Sequence, residues 1–485
     1  MKKNSLGINA VLNGLRNFFN LLFPLITFPY VSRVLSVNGM GIYNFSNTYV
    51  QYFLLIAGLG INTYAVREGA RFRNNPKLIN KFASQIFTIN IYSTMVAYIL
   101  LLFSLVIFGS LHNYVSTILI FSLQIIFTTI GVEWIFNIYE KYAYITVRSM
   151  FFKILSVILL FLFVKKPNDY LWYAGITVLA TVGSNFLNFL YVRSFCHINL
   201  VWRIELKKHI KPILIMFATA AAVNIYVSSD ITILGLIKND YNVGIYTTAV
   251  SIYGITTNLM SAIITVTIPR LANLIGNNKK RDYFNILRKL INVLSIITLP
   301  AIVGLIMLSR EIILIIAGKH YLPSVASLQI ISLAMIFSLY SFIFNQCILI
   351  PIKREKKALR NTIITAVFNI ILNFLFIPYL SYNGTSLSTV LSQILVMFLN
   401  GWSARDFVKN IILSKKFIRN LKSSCIGCIG IILICLLCKF SFYLLWVRTI
   451  VSISLSILIY ILILIVCKNE IVLKIIMEIR EKVKI

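Results

Sequence analysis

Apolar runs of about 20 residues recur from one end of the chain to the other, as in 86–108 and 450–467. Each is long enough to cross a hydrocarbon core of about 30 Å as a helix. Lipid cannot satisfy a bare backbone N–H or C=O, so a spanning segment is a helix or part of a closed barrel. Barrel strands alternate apolar and polar residues over about 10 positions, and these runs do not alternate. The chain is therefore expected to be an all-α integral membrane protein. Its charged share, 12%, is about half that of a soluble domain. A water-soluble fold could not hide the 59% that is hydrophobic.

About fourteen spans are predicted, near 10–31, 42–64, 82–108, 114–137, 146–164, 171–193, 211–236, 244–268, 286–308, 324–350, 360–379, 384–403, 423–445 and 448–467. This spacing leaves no room for a soluble catalytic domain, so the chain is not expected to be an enzyme. Nor does it carry a cleavable signal pattern. Lys2 and Lys3 precede an apolar run too long for a signal peptide, and the first helix is expected to stay as its own insertion signal.

Basic residues set the orientation. With the N-terminus in the cytoplasm, the inward loops hold the clusters from Arg67 to Lys81, Arg193 to Lys211, Arg270 to Lys289, Lys353 to Arg360 and Arg405 to Lys422, and the basic tail after Cys467. The outward loops hold little beyond Arg33, Lys165, Lys166, Lys238, Arg310, Lys319, Lys439 and Arg448. A net charge of +32 would suggest nucleic acid in a soluble protein. Its placement on one side of a membrane excludes that partner and puts both termini inside.

Gly41-Ile42-Tyr43 opens the second span and Gly244-Ile245-Tyr246 the eighth, each followed at the same separation by an Asn-Asn pair, Asn74-Asn75 and Asn277-Asn278. Six helices between matching elements imply parallel repeats. Lobes of six helices are expected at 1–196 and 197–405, with two more helices and a basic tail at 406–485.

Charges inside spans are costly and are functional candidates. Arg16 and Lys153 either face a cavity, where a guanidinium or ammonium meets phosphate oxygens, or reach back to the headgroups. Arg148 and Arg270, at span ends, complete the cationic candidates. Asp230, deep in the seventh span, either carries a proton or sodium coupling step or pairs with a cation. Glu133 is read the same way, or as a partner of Arg148 or Lys141. Cys425, Cys428, Cys435 and Cys438 resemble a pair of zinc motifs. All four lie along one apolar helix, so they cannot surround an ion tetrahedrally. No P-loop occurs, and neither cofactor nor metal is expected. The four histidines all fall in predicted loops.

The segment from Gly131-Val132-Glu133-Trp134-Ile135-Phe136 to Arg148-Ser149 resembles the fourth-to-fifth helix segment of bacterial O-antigen and capsule flippases. Similar too are Phe23-Pro24 through Val34-Leu35, Ala65-Val66-Arg67-Glu68, Asp230 through Gly235 and Pro269-Arg270. These flippases belong to the multidrug/oligosaccharidyl-lipid/polysaccharide exporter superfamily. The resemblance covers nearly the whole chain. It implies a multi-pass protein of the bacterial inner membrane that turns an undecaprenyl-pyrophosphate-linked oligosaccharide from the cytoplasmic to the outer face by alternating access. Arg16 and Lys153 would then meet the pyrophosphate in a cavity between the lobes. A proton or sodium gradient is the candidate drive, and a polysaccharide polymerase and chain-length proteins are candidate partners. A multidrug exporter and a lipid II flippase of the same superfamily are the alternatives.

Overall fold

The computed structural model describes residue 19, residues 22–412 and residues 414–473, and among them the regular structure is entirely helical. α1 (Leu22–Val34) is the described part of the expected first span. The second span is divided between α2 (Val37–Gly58) and α3 (Ile61–Gly69). α4 (Pro76–Ile107), α5 (Val115–Ile130) with the short α6 (Glu133–Ile138), α7 (Tyr142–Phe163) and α8 (Tyr170–Val192) supply the third to sixth spans. α9 (Leu206–Ile237) and α10 (Asp240–Gly276) follow.

Beyond them come α11 (Lys280–Met307), the short α12 (Ser309–Ile316), α13 (Ser324–Ser332) and α14 (Ala334–Ile343). α15 (Glu355–Ser403), α16 (Arg405–Ile412), α17 (Lys415–Ser441) and α18 (Leu445–Val466) complete the chain. Among the described residues, twelve stretches are long and apolar enough to cross a membrane. The 49-residue α15 holds two expected spans about a kink at Ser381, whose φ is 50°. With α1 added, the expectation of about fourteen spans stands.

The kink has a local cause. Pro378 removes a backbone donor just before it. Gly384 just after it lets the chain turn back tightly, since a Cβ there would come 2.6 Å from the Phe376 carbonyl oxygen. Lipid offers no hydrophobic drive between helices, so close approach at small residues and buried hydrogen bonds hold them together. In α15 the Asn361 amide donates to Asn400 Oδ1 at 2.9 Å and to Ser403 Oγ at 3.0 Å, and the Asn400 amide reaches Ser341 Oγ of α14 at 3.0 Å.

Two compact units result, dividing at Gly244/Ile245. In the first, α2 packs on α4, α5 and α9, while α8 packs on α5 and α7. In the second, α11 packs on α17 and α14 on α15, and α17 pairs with α18. The first unit extends past the expected lobe boundary at 196/197 because α9 lies against α2. Tyr52 Oη and Thr232 Oγ1 are 3.0 Å apart, and a Cβ on Gly235 would come 2.3 Å from the Phe45 ring. A repeat boundary concerns sequence ancestry and a compact unit concerns packing, so the two need not coincide.

The two Gly-Ile-Tyr triplets take matching places. Tyr43 donates to Thr177 Oγ1 of α8 at 3.1 Å, and Tyr246 Oη lies 3.2 Å from Thr389 Oγ1 of α15. A Cβ on Gly41 would stand 1.9 Å from the Asp240 carbonyl oxygen, and one on Gly244 would stand 2.2 Å from that of Val37. The start of α2 and the start of α10 thus cross through two glycines, each against the other's backbone.

Three of the four cysteines of α17, Cys428, Cys435 and Cys438, are buried on its packing face. Cys428 and Cys435 are buried with Ile296, Leu308 and Tyr460, whereas Cys425 is exposed. Histidine placement differs from the sequence reading. His209 is not in a loop but in the first turns of α9, buried, with Tyr64 Oη 2.8 Å from one ring nitrogen and Gln85 Oε1 2.9 Å from the other.

Candidate functional site

Two interrupted helices meet in the first unit. α2 gives way to α3 at Leu59 (φ 43°) and Gly60 (φ 69°). Glycine is required at position 60 twice over: by that dihedral angle, and because a Cβ would come 2.5 Å from the Phe217 nitrogen of α9. The break frees the Ala57 carbonyl, which α4 satisfies through the Asn90 amide at 2.8 Å and the Ser93 hydroxyl at 2.6 Å. The second break separates α5 from α6. Val132 there has φ 38° and ψ 42°, a left-handed conformation that a β-branched residue adopts only at a cost.

A cavity of about 80 Å³ lies where the two breaks face each other, lined by Gly58, Asn62, Asn90, Thr129, Glu133 and Trp134 among others. Irregular backbone at membrane depth is tolerated where it is buried or lines a cavity, and interrupted helices mark substrate and ion sites in transporters. The strained Val132 starts α6 so that Glu133 lines this cavity and is the first residue of the new helix.

The structure brings Glu133 and Arg148 together. Arg148, on α7 with its side chain only 3% exposed, places Nη2 3.7 Å from Glu133 Oε2, and its guanidinium lies 5.6 Å from the Tyr144 ring centre. Five residues along α7, Lys153 is half-buried with Nζ 5.9 Å from the Phe23 ring centre of α1. Asp230 sits on a different helix pair, buried on α9 within electrostatic reach of Tyr52 on α2. Arg270 is exposed on α10, in the second unit. Arg16 lies outside the described residues.

A guanidinium held between a carboxylate and an aromatic face can exchange that carboxylate for phosphate oxygens, which it binds through paired N–H donors. Sequence reasoning missed the uncharged polar lining, Asn62, Asn90 and Thr129. Single polar residues inside apolar runs carried no signal beyond their presence. It also missed the buried pair in the second unit, Arg448 Nη2 to Glu311 Oε1 at 2.8 Å, which ties α18 to α12.

The family model of the polysaccharide biosynthesis protein matches residues 6–275, more than half of the chain. The chain belongs to the polysaccharide biosynthesis protein family. The resemblance read from the segment around Glu133 and Trp134 is upheld by that match. Within the family, the chain is 25% identical over 406 residues to a Shigella dysenteriae protein named an O-antigen transporter, covering 82% of this chain and 98% of that one. It is 22% identical to an Escherichia coli K12 protein of the same name, over 82% of this chain and 96% of the other. A Haloferax volcanii protein named a low-salt glycan biosynthesis flippase shares 26% identity over 37% of this chain and 38% of its own. Among solved structures, the fold is similar to the lipid II flippase MurJ in an inward closed conformation. The TM-score there is 0.78 and the identity 18%, over 95% of this chain and all of that one. An inward-facing MATE transporter of the MOP superfamily aligns with a TM-score of 0.59 at 14% identity, over 81% of this chain and 96% of that one. This member of the polysaccharide biosynthesis protein family is thus a multi-pass membrane protein with the architecture shared by those transporters.

Proposed function

We propose that the chain is a flippase that carries an oligosaccharide repeat unit, linked to undecaprenyl pyrophosphate, from the cytoplasmic to the outer face of a bacterial inner membrane. The carrying observation is the pairing of buried Arg148 with half-buried Glu133 beside two interrupted helices, in a chain whose relatives bear the names of O-antigen transporters and a glycan flippase. Arg148 and Lys153 offer cations to the pyrophosphate, Arg16 and Arg270 are further contributors, and Glu133 holds Arg148 until substrate arrives. Transport proceeds by alternating access of two six-helix lobes, 1–196 and 197–405, with α17 and α18 appended. The matching Tyr43–Thr177 and Tyr246–Thr389 bonds support that duplication. Both termini lie in the cytoplasm, as the basic loops indicate. The oligosaccharide itself and surrounding lipids are the partners. A polymerase and chain-length proteins act on the product outside.

Deleting the chain in its host is expected to remove surface polysaccharide while lipid-linked repeat units accumulate inside, with rescue by the wild-type chain. Normal surface polymer together with altered dye or drug sensitivity would replace the reading with a multidrug exporter. Loss of peptidoglycan synthesis would replace it with a lipid II flippase.

Asp230 is proposed to couple transport to a proton or sodium gradient, because a carboxylate deep in a span that lacks a transport role is costly to retain. Asp230→Asn is expected to leave the chain folded and to abolish the dependence of flipping on that gradient. Unchanged flipping after both gradients are dissipated in the wild type would rule out coupling.

A further inference from the structure

The cytoplasmic end of α15 carries a pocket that the transport reading does not use. Arg354, Lys357 and Arg360 follow one another at three-residue spacing along the first turns of this helix. Because α15 folds back at Ser381, its far end returns to the same place with Trp402 and Ser403, and the start of α16 adds Arg405 and Asp406. Together they line a cavity of about 370 Å³, within the roughly 300–1,000 Å³ range of small-ligand sites.

The charges within it are not balanced from inside. Arg354 is fixed, donating to the Ser403 carbonyl at 2.9 Å and to Asp406 Oδ2 at 2.6 Å. That guanidinium, with a smaller contribution from the charge of Arg405, holds the Asp406 carboxyl below its ordinary range. Arg405 stacks over Trp402 at 5.3 Å. Among the described residues, no carboxylate comes within ion-pair distance of Lys357, Arg360 or Arg405, since Asp406, the one carboxylate lining the pocket, is taken by Arg354. Lys357 also sits in the first turn of α15, where the helix macrodipole is positive and penalises cations. Lys357, Arg360 and Arg405 line one pocket from the starts of α15 and α16 and repel one another unless an anion sits among them.

The aromatic rim indicates the depth of the pocket. Trp402 and Phe398 are stacked with centres 6.1 Å apart and are 61% and 59% exposed. Exposed tryptophan at a span end is characteristic of the headgroup layer, and basic pockets between helices on the cytoplasmic side suit lipid phosphates.

We propose that the pocket formed by Arg354, Lys357, Arg360, Trp402 and Arg405 binds the phosphate of an anionic phospholipid headgroup from the cytoplasmic leaflet. Arg354 supplies a fixed edge, Lys357, Arg360 and Arg405 neutralise the phosphate, and Trp402 packs against the glycerol region. The site is separate from the transport path, and its placement in the cytoplasmic leaflet rests on the orientation proposed above from the basic loops.

The test uses the full chain in neutral detergent, titrated with brominated phosphatidylglycerol or brominated phosphatidylcholine. Trp402 emission is followed as the difference from the W402F chain. Quenching should be saturable and on the order of tenfold tighter for phosphatidylglycerol, because each basic residue near anionic lipid adds affinity. The K357Q/R360Q/R405Q chain should lose that preference, whereas K279Q/K280Q/R281Q, with equal loss of charge on another basic loop, should keep it. Equal quenching by both lipids in the wild type overturns the proposal, and that result needs no variant to fold. Equal losses in the two triple variants overturn it as well. Inorganic phosphate, titrated without lipid, distinguishes the sources. Saturation by inorganic phosphate overturns the lipid assignment and gives the site to a soluble anion, and no saturation keeps it with the lipid.

Discussion

Replacing Arg148 by alanine is expected to lower surface polysaccharide by on the order of 10- to 100-fold, the loss of one charge-assisted bond to phosphate. The same change takes the Arg148 guanidinium away from Glu133. Removing one member of a fully buried pair costs about 3–5 kcal/mol, but Glu133 keeps 32% of its side chain exposed, so water reduces that penalty. The two effects separate in a double substitution. Pairing E133Q with R148Q removes both charges of the pair and should restore the thermal midpoint of the purified chain. If Arg148 meets substrate phosphate, export stays low in the double variant. Export that recovers along with stability would reduce Arg148 to a structural counter-ion and leave Lys153 as the described cation to test next on α7.

Gly41→Ala and Gly244→Ala should each destabilise the chain severely. A new Cβ would stand 1.9 Å from the Asp240 oxygen in the first and 2.2 Å from the Val37 oxygen in the second. Both obstacles are backbone atoms, which no rotamer change can move aside, so the helices must separate by more than an ångström. The gain in helix propensity from glycine to alanine, about 1 kcal/mol, is small beside the packing lost. Overpacking a tight site costs typically about 1–3 kcal/mol, occasionally more. The double variant should be scarcely worse than either single one, because one displacement relieves both clashes, and neighbouring sites of this kind are not additive. Thermal midpoints of the three purified variants measure this. Strictly additive losses would mean that the two glycines do not share one crossing.

Much of this architecture was legible in the sequence for a physical reason: lipid enforces helices of a set length, and positive charge enforces their direction. The spans, with an interruption between 379 and 384, followed from apolar run length. The Gly-Ile-Tyr triplets were visible as an echo, and their structural meaning, two glycines each facing the other's backbone, required coordinates. The break at Leu59-Gly60 lay inside a run read as one span. A glycine pair in an apolar helix reads equally well as a packing notch or as an interruption, and only the positive φ of Leu59 and Gly60 decides between them. For the candidate site, the sequence supplied the charged residues but not their neighbours. Glu133 and Arg148 meet because a left-handed Val132 redirects the chain, and no periodicity encodes that turn. His209 was misplaced because the basic residues beside it suggested a loop, whereas they form the first turns of α9.

The glycine crossing also bears on the timing of assembly. Its two halves are the starts of α2 and α10, about 200 residues apart in the chain. At about 5–20 residues per second, the ribosome takes roughly 10–40 s to deliver the second half after the first. Through that interval α2 is already in the membrane with its notched face unfilled. The first unit therefore cannot close helix by helix as it emerges. It waits in a loosely held state for α9 and the start of α10. A chain truncated after α8 should resemble that nascent form, long enough to span the membrane many times yet lacking the last contacts that hold its first unit shut.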